Sequence, residues 1–451
     1  MGSTKLESLR RIVANMGFIL QVTGLLLILP VAIGLQTGEL QSVASIITTC
    51  FIAFGFGFAF NALAERKELD EKTSIWLMLL SFTVIPLILM IPYVWNNVFS
   101  STNLIDLFSN AYFETVSGFT TTGFSFIQNP QTLTSSLLFY RSLTEFIGGV
   151  GFIYILIAFL YPKEEIENFL SSFGIEAIGN SMKKLLILIM VIYTLIALVF
   201  TVIFYFNYST NLVVASCAAI DVLTGGYEPF IAAGIGLFQI SVIVLMIIGG
   251  LNFKFHYNLF HLKFRELLTP EIKLYLLIIA SSTVVISILA WVNPFVSLFQ
   301  SASMVSSTGI ALLDLGAMSV PAKIWLIIIM LVGGCGFSMA GGIKIERIQK
   351  IISAIRKSDD APEKHELRSI ILYIIAFIAF LLILSLAFST SGTSMLDSVF
   401  EVGSALSTAG ASIGATTISM PVIYKWLLIF AMLIGRVEIV SIYKAIKGFR
   451  K

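Results

Sequence analysis

The sequence predicts an all-α polytopic membrane protein built from parallel repeats, and three observations carry that expectation. Hydrophobic residues make up 57% of the 451-residue chain and charged residues 12%, whereas a soluble domain carries roughly a quarter charged. Mean hydropathy is +0.95, and apolar runs long enough to cross a bilayer recur along the chain. A polar phrase, "FETVSGFTTTGFS" at 113–125, returns in altered form at three later places.

A spanning helix needs about 20 apolar residues. Such runs cover 13–36, 40–63, 74–96, 139–161, 183–206, 233–254, 271–292, 367–389 and 423–443. A tenth, 321–332, is too short to cross unless it resumes after a break. The first run continues to about Leu35, which reads as a retained span rather than a removed signal. Between neighbouring spans lie the shorter segments 104–118, 211–222, 294–305 and 395–406. At about 1.5 Å per residue they reach about 18–22 Å, so they read as re-entrant helices that dip in and return.

Placing the amino terminus inside puts all but four of the 28 Lys and Arg residues in the inner segments 1–12, 64–73, 161–184, 254–273, 344–368 and 444–451. The exceptions are Arg141, Lys323, Lys425 and Arg436. Positive charge collects on the inner side of membrane proteins, so both termini are expected in the cytoplasm and the short segments on the outer side.

In the repeated phrase Phe113-Glu114 leads to Ser117 and then Thr120, Thr121, Thr122 and Gly123. Phe299-Gln300 leads to Ser303, Ser306, Ser307, Thr308 and Gly309, and Phe400-Glu401 to Ser404, Ser407, Thr408, Ala409 and Gly410. Each glycine follows the Glu or Gln by nine residues. A weaker copy, "DVLTGGY", places Leu223, Thr224, Gly225 and Gly226 in the same order. Fixed internal spacing is the mark of repeats. The chain divides into an N-terminal two-helix hairpin, 1–72, and repeats 73–163, 164–268, 269–360 and 361–451. Each repeat is a helix, a short pore helix, a polar strand ending in Gly, and a helix.

Parallel repeats imply a rotation axis along the membrane normal, where a central pore would lie. Backbone without internal hydrogen bonds is tolerated at membrane depth where it lines water or ions. Four such strands offer rings of carbonyl oxygens that replace a hydration shell, and Ser and Thr hydroxyls add ligands. Potassium-type contacts are expected at Thr121, Thr122, Leu223, Thr224, Ser307, Thr308, Thr408 and Ala409. No carboxylate ring is needed, which favours a monovalent cation. The competing reading, small residues in close helix contacts, explains one copy better than four.

Together, "GFTTTGFS", "EFIGGVGF" (145–152), "GGCGFSMAGGIK" (333–344) and "GRVE" (435–438) resemble the Trk/Ktr/HKT superfamily of potassium transporters, and the two extra leading helices make the TrkH branch the most similar. The resemblance implies potassium uptake through one pathway of four non-identical repeats. It also implies a homodimer and a cytosolic, nucleotide-binding regulatory subunit of the TrkA type. The sequence departs from the family's filter at 223–226, with Asp221 close by, while a glycine closing all four copies resembles the potassium-selecting members. The runner-up is a sodium-permeable or sodium/proton-coupled cation carrier. A carrier of small solutes would need inverted repeats or facing carboxylates, and a membrane enzyme an intramembrane His or Asp constellation.

Gly333, Gly334, Gly336, Gly341 and Gly342, with Ser338, interrupt the third repeat's last helix. Each glycine costs about 1 kcal/mol in a helix interior relative to Ala, so an irregular loop is expected there. In the resembling family this loop gates the pore, whereas close helix packing is the alternative. Arg436 lies inside the last span, where an arginine faces a cavity or a partner. The resemblance implies that it projects into the pore, and an ion pair with Glu438 or Glu145 is the alternative.

Gly148, Gly149, Gly151, Gly249 and Gly250 read as helix-packing residues. Cys50, Cys217 and Cys335 lack the spacing of a disulfide framework or metal site, and His256, His261 and His365 fall in cytoplasmic segments. The basic segment 344–368, with 163–184, is the expected docking surface for the regulatory subunit. No nucleotide-binding motif and no sign of nucleic-acid binding is present. The expected location is a bacterial plasma membrane.

Overall fold

The computed structural model describes residues 2–63, 71–127, 129–155, 181–227, 236–357 and 361–437. Among these, all regular structure is helical. The α-helices are α1 Gly2–Leu26, α2 Ile28–Thr37, α3 Leu40–Leu63, α4 Glu71–Leu89, α5 Ile91–Trp95, α6 Leu104–Phe119, α7 Ser135–Ile155, α8 Ser181–Asn207 and α9 Leu212–Thr224. They continue as α10 Leu237–Gly250, α11 Phe253–Phe260, α12 Pro270–Ala290, α13 Pro294–Val305, α14 Val320–Val332, α15 Ile345–Arg356, α16 Lys364–Ser389, α17 Met395–Leu406 and α18 Val422–Val437. The four short segments read as re-entrant are α6, α9, α13 and α17.

The described chain forms two compact units. The first holds α1 to α7 and the start of α8. In it α1 packs along α3 because glycines let the backbones approach: a Cβ on Gly17 would stand 2.8 Å from the Gly57 carbonyl oxygen. Pro86 in α4 lacks the N–H that an interior helical turn needs, yet Met90 N still reaches Pro86 O at 2.9 Å, and α4 and α5 together make one apolar stretch, Thr73–Trp95. Helix α6 packs against α4, α5 and α7. On α7, Gly148 lies under the carbonyl of Phe119, the last residue of α6, where any Cβ would collide.

The second unit holds Thr121–Phe124 and the described chain from Ile192 onward. It contains three copies of entry helix, re-entrant helix and exit helix: α8–α9–α10, α12–α13–α14 and α16–α17–α18. Each exit helix backs onto the next re-entrant helix, α10 on α13 and α14 on α17. Lys323 of α14 pairs with Asp397 of α17 at 2.8 Å across the second of these junctions. Gly249 and Gly435 sit under the carbonyls of Leu223 and Leu406 as Gly148 sits under Phe119.

Two spans differ from expectation. The run at 233–254 does not continue straight: α10 ends at Gly250, and the chain bends by 110° into α11. Gly250 abuts the Tyr275 hydroxyl, and Asn252 caps α11 by accepting from Phe255 N at 2.9 Å. His256, expected in a cytoplasmic loop, is consequently buried against Tyr193. The short apolar run at 321–332 does not resume as an apolar span: after the loop 333–344 the chain forms α15, which carries Glu346, Arg347, Lys350 and Arg356.

A carboxylate ties the N-terminal hairpin to the first repeat. Glu39, between α2 and α3, accepts from Ser135 N and Ser136 N at 2.8 Å each and so caps α7. Burial alone would raise its pKa, but hydrogen bonds from Ser136 and Ser135 prevail and hold it below the ordinary 4.5. A lowered carboxylate pKa adds stability above the unfolded value, and that stability is lost as pH falls through the folded value. Glu39→Ala is therefore expected to cost about 1 kcal/mol at neutral pH. Melts of detergent-solubilised protein should show the gap to wild type closing below the ordinary carboxylate range.

Candidate functional site

The polar strands after the four re-entrant helices are built alike from the helix start. Asn103, Asn211, Asn293 and Ser394 cap the four helices, accepting from Ile105 N, Val213 N, Phe295 N and Asp397 N at 2.8 to 3.2 Å. Such caps satisfy the orphan amides of a helix start. At the far ends the backbone turns left-handed at one residue per repeat: Thr121 (φ 54°), Gly225 (φ 76°), Ser307 (φ 59°) and Thr408 (φ 46°). A left-handed β-branched residue is rare, so two threonines here mark backbone held by its surroundings. Two residues on, Gly123, Gly309 and Gly410 have φ of 86°, 73° and 75°.

These geometries revise the register of the second repeat. Gly226 N donates to Asp221 O, Thr308 N to Ser303 O and Ala409 N to Ser404 O, each reaching back five residues. Gly226 therefore matches Thr122, Thr308 and Ala409 rather than the closing glycines. Leu223 and Thr224, expected in the polar strand, form the last turn of α9 instead, with the Thr224 hydroxyl bonded to Ile220 O at 2.8 Å. Gly225 and Gly226 take the places expected for Leu223 and Thr224 in the ion contacts. The helix caps carry a signal that the sequence reading missed. In the last two repeats the cap precedes the glycine by 16 residues, and the same interval from Asn211 lands on Tyr227.

The four strands meet in a closed cycle. The space a Cβ would need on Gly123 is occupied by the Gly226 carbonyl, on Gly309 by the Ala409 carbonyl, and on Gly410 by the Thr122 carbonyl. The remaining seam joins Gly225 to Ser307, whose carbonyl oxygen lies 3.0 Å from where a Cβ would stand. Inside the cycle Thr121 Oγ1, Ser307 Oγ and Thr408 Oγ1 are buried without a hydrogen-bond partner. Three unpartnered hydroxyls thus fall at one equivalent position of three strands, and because an unpartnered buried hydroxyl is costly they are candidates to hold a ligand. Of the hydroxyls one residue earlier, Thr120 bonds Val116 O at 2.8 Å and Ser306 bonds Thr308 at 2.7 Å, whereas Ser407 Oγ is also buried without a partner.

Buried acceptors brace the strands from behind. Glu114 accepts from Ser125 Oγ, Phe126 N and Arg141 Nε at 2.9 to 3.0 Å. Glu401 accepts from Ser412 Oγ, Ile413 N, Ala415 N and Thr416 Oγ1 at 2.6 to 3.2 Å. In the third repeat the Ser303 hydroxyl donates to Ile310 O at 2.6 Å.

The glycine-rich stretch forms the expected irregular loop. Gly333 ends α14, and Gly341 lies against the Ser407 carbonyl and the Thr408 hydroxyl, directly beside the fourth strand. Cys335 N donates to Gly250 O at 2.9 Å and Gly336 N to Glu271 Oε1 at 2.6 Å. Ser338 Oγ donates to Cys335 O, and the Lys344 ammonium to Ala340 O. Arg436, fully enclosed, donates from Nη1 to Met339 O at 2.8 Å, so it meets the loop itself. Glu438 lies outside the described residues.

Removing one member of a buried ion pair strands the other charge, at about 3–5 kcal/mol. Arg141→Met is expected to lose that much by leaving Glu114 unpaired, and adding Glu114→Gln should recover most of it. Thermal melts of the single and double variants measure this.

Comparison with known proteins accords with this arrangement. Residues 50–447 match the family model for TrkH, described as cation transport protein. An uncharacterized cation transporter of Methanocaldococcus jannaschii is 28% identical, over 95% of this chain and 93% of its own. The Trk system potassium uptake protein TrkH of Escherichia coli is 23% identical, over 84% and 86%. The crystal structure of the potassium transporter TrkH from Vibrio parahaemolyticus superposes with a TM-score of 0.81 at 20% identity, covering 97% of this chain and 98% of that one. With most of its length matched, the chain belongs to the TrkH family of cation transport proteins.

Proposed function

We propose that the protein takes up potassium across a bacterial plasma membrane through a channel-like pathway, and that the cycle of four strands is its selectivity filter. The ring of orphaned hydroxyls at Thr121, Ser307 and Thr408 carries this reading. It lies where backbone is left out of helices, a condition met at membrane depth only beside a wet pathway. Carbonyl and hydroxyl oxygens there replace the water of a dehydrated ion. The strands carry hydroxyls, carbonyls and glycines but no carboxylate, which suits a monovalent cation. The names of the related Trk proteins specify potassium.

The loop 333–344 is the gate of this pathway and Arg436 its fixed charge. A guanidinium near the filter would repel a cation, and the bond from Arg436 to Met339 O, which ties that charge to the loop, supports the two acting together. Helix α15 follows the loop directly and carries Lys350, paired with Glu346 at 3.0 Å and Glu366 at 2.6 Å, and Arg347, stacked 4.1 Å over the Tyr373 ring. A cytosolic nucleotide-binding subunit of the TrkA type, acting on α15, would move the loop. The other proposed docking segment, 163–184, lies largely outside the described residues. The assembly is a homodimer and performs no chemical conversion.

Expression with a TrkA-type partner should restore growth at low potassium to cells that lack potassium uptake. Absence of rescue by well-expressed protein with its partner would overturn the function. Arg436→Ala should raise cation flux several-fold without changing which ion is preferred. Unchanged or lower flux would remove Arg436 from the barrier.

A further inference from the structure

The first compact unit holds an apolar cavity that the transport pathway does not use. Its walls come from α1, α4, α7 and the start of α8, with Phe119 of α6 on one side. Phe82 and Phe119 pack there with ring centroids 5.1 Å apart. The empty space, counted out to the open mouth, is about 610 Å³, within the range of small-molecule sites. Of the lining residues, Thr23, Ser81 and Tyr154 carry a polar side chain. Thr23 and Ser81 are fully buried, and neither hydroxyl has a hydrogen-bond partner. A hydroxyl inside a helix can bond the carbonyl four residues back, as Thr49 and Thr201 do at 2.9 and 2.8 Å. Gly151, expected to serve helix packing, faces the same space: a Cβ there would meet nothing within 4 Å.

We propose that this cavity binds a membrane-soluble amphiphile, an apolar chain ending in one oxygen that bonds the Thr23 and Ser81 hydroxyls. The half-buried lining residues lie mostly on α1 and α8, beside the exposed Leu25, Ile187 and Val191. Both helices are long and apolar enough to span, so hydrocarbon faces the mouth and the ligand enters from the membrane. Water settles where two to four polar partners converge, and this lining is apolar apart from three side chains. A bilayer phospholipid carries its oxygens at the surface. Ser81 lies eight residues inside the span Thr73–Trp95, and Thr23 sixteen inside Glu7–Thr37, about 12 and 24 Å along their helices. A free alcohol or a neutral fatty acid brings its oxygen to that depth. Its chain would lie against Phe119, the last residue before the first polar strand.

The full chain in phospholipid vesicles would be photolabelled with a diazirine-bearing dodecanol, and the labelled peptides mapped by mass spectrometry. Label is expected on α1, α4 and α7 at the cavity. Gly151→Leu extends a side chain into the open space and should remove that label. Unlabelled dodecanol, at equal mole fraction in the membrane, should compete roughly three- to tenfold better than dodecane. Replacing both hydroxyls, Thr23→Val with Ser81→Ala, should bring the two competitors level. Cavity label that Gly151→Leu leaves unchanged would overturn the site. Equal competition by dodecanol and dodecane in wild type would overturn the amphiphile in favour of a bilayer acyl chain. Should Gly151→Leu fail to accumulate, the double variant decides: an advantage for dodecanol that persists in it would overturn the assignment.

Discussion

The polar strands of the second unit depend on close approaches in which a main-chain carbonyl of one strand occupies the place of a missing side chain on the next. Gly123, Gly309 and Gly410 make these contacts possible, and their positive φ keeps the strand turning where an L side chain would resist. Four strands drawn this close cannot satisfy their carbonyls as a helix or sheet would. Their polar atoms are left facing inward, and the surrounding architecture keeps them there.

That architecture acts from three directions. From below three of the four strands, a helix glycine lies under the carbonyl that ends a re-entrant helix: Gly148 under Phe119, Gly249 under Leu223 and Gly435 under Leu406. From behind, Glu114 and Glu401 gather the amides and hydroxyls of the descending chain, and Arg141 neutralises the first of them. From the start of each short helix, an Asn or Ser side chain closes the first turn. Buried polar groups of this kind are costly singly and rigidifying when all are satisfied. The hydroxyls of Thr121, Ser307 and Thr408 are left open at one equivalent position, as is that of Ser407 beside Thr408.

The third repeat departs from the others in a way that its neighbours exploit. Its exit helix stops at Val332, and Gly333 lies against Gly341 of the returning loop instead of under the end of a re-entrant helix. The loop is then held by groups from other segments: the Gly250 carbonyl, the Glu271 carboxylate and the Arg436 guanidinium. Each bond is an ordinary hydrogen bond worth a few kcal/mol at most, so the loop is fixed by several contacts that can part without unfolding the helices. A segment of that kind is suited to move while the frame stays still.

Much of this was legible in the chain itself. Composition and run length establish a membrane protein, because a bilayer core accepts few charges and demands about 20 apolar residues per crossing. Repeated Ser, Thr and Gly at fixed spacing located three of the four strands, and five glycines in ten residues located the broken helix. Two matters needed tertiary contacts. The bend at Gly250 depends on what packs against Gly249 and Gly250, which hydropathy does not register. The register of the second repeat was misread because "TGGY" offers two adjacent glycines, and local sequence matching prefers the one nearest the pattern. Which of them faces a neighbouring strand is decided by hydrogen bonds to Asp221 and by the space beside Gly123. Spacing along a chain records what repeats; only the meeting of separate strands determines which atom lies against which.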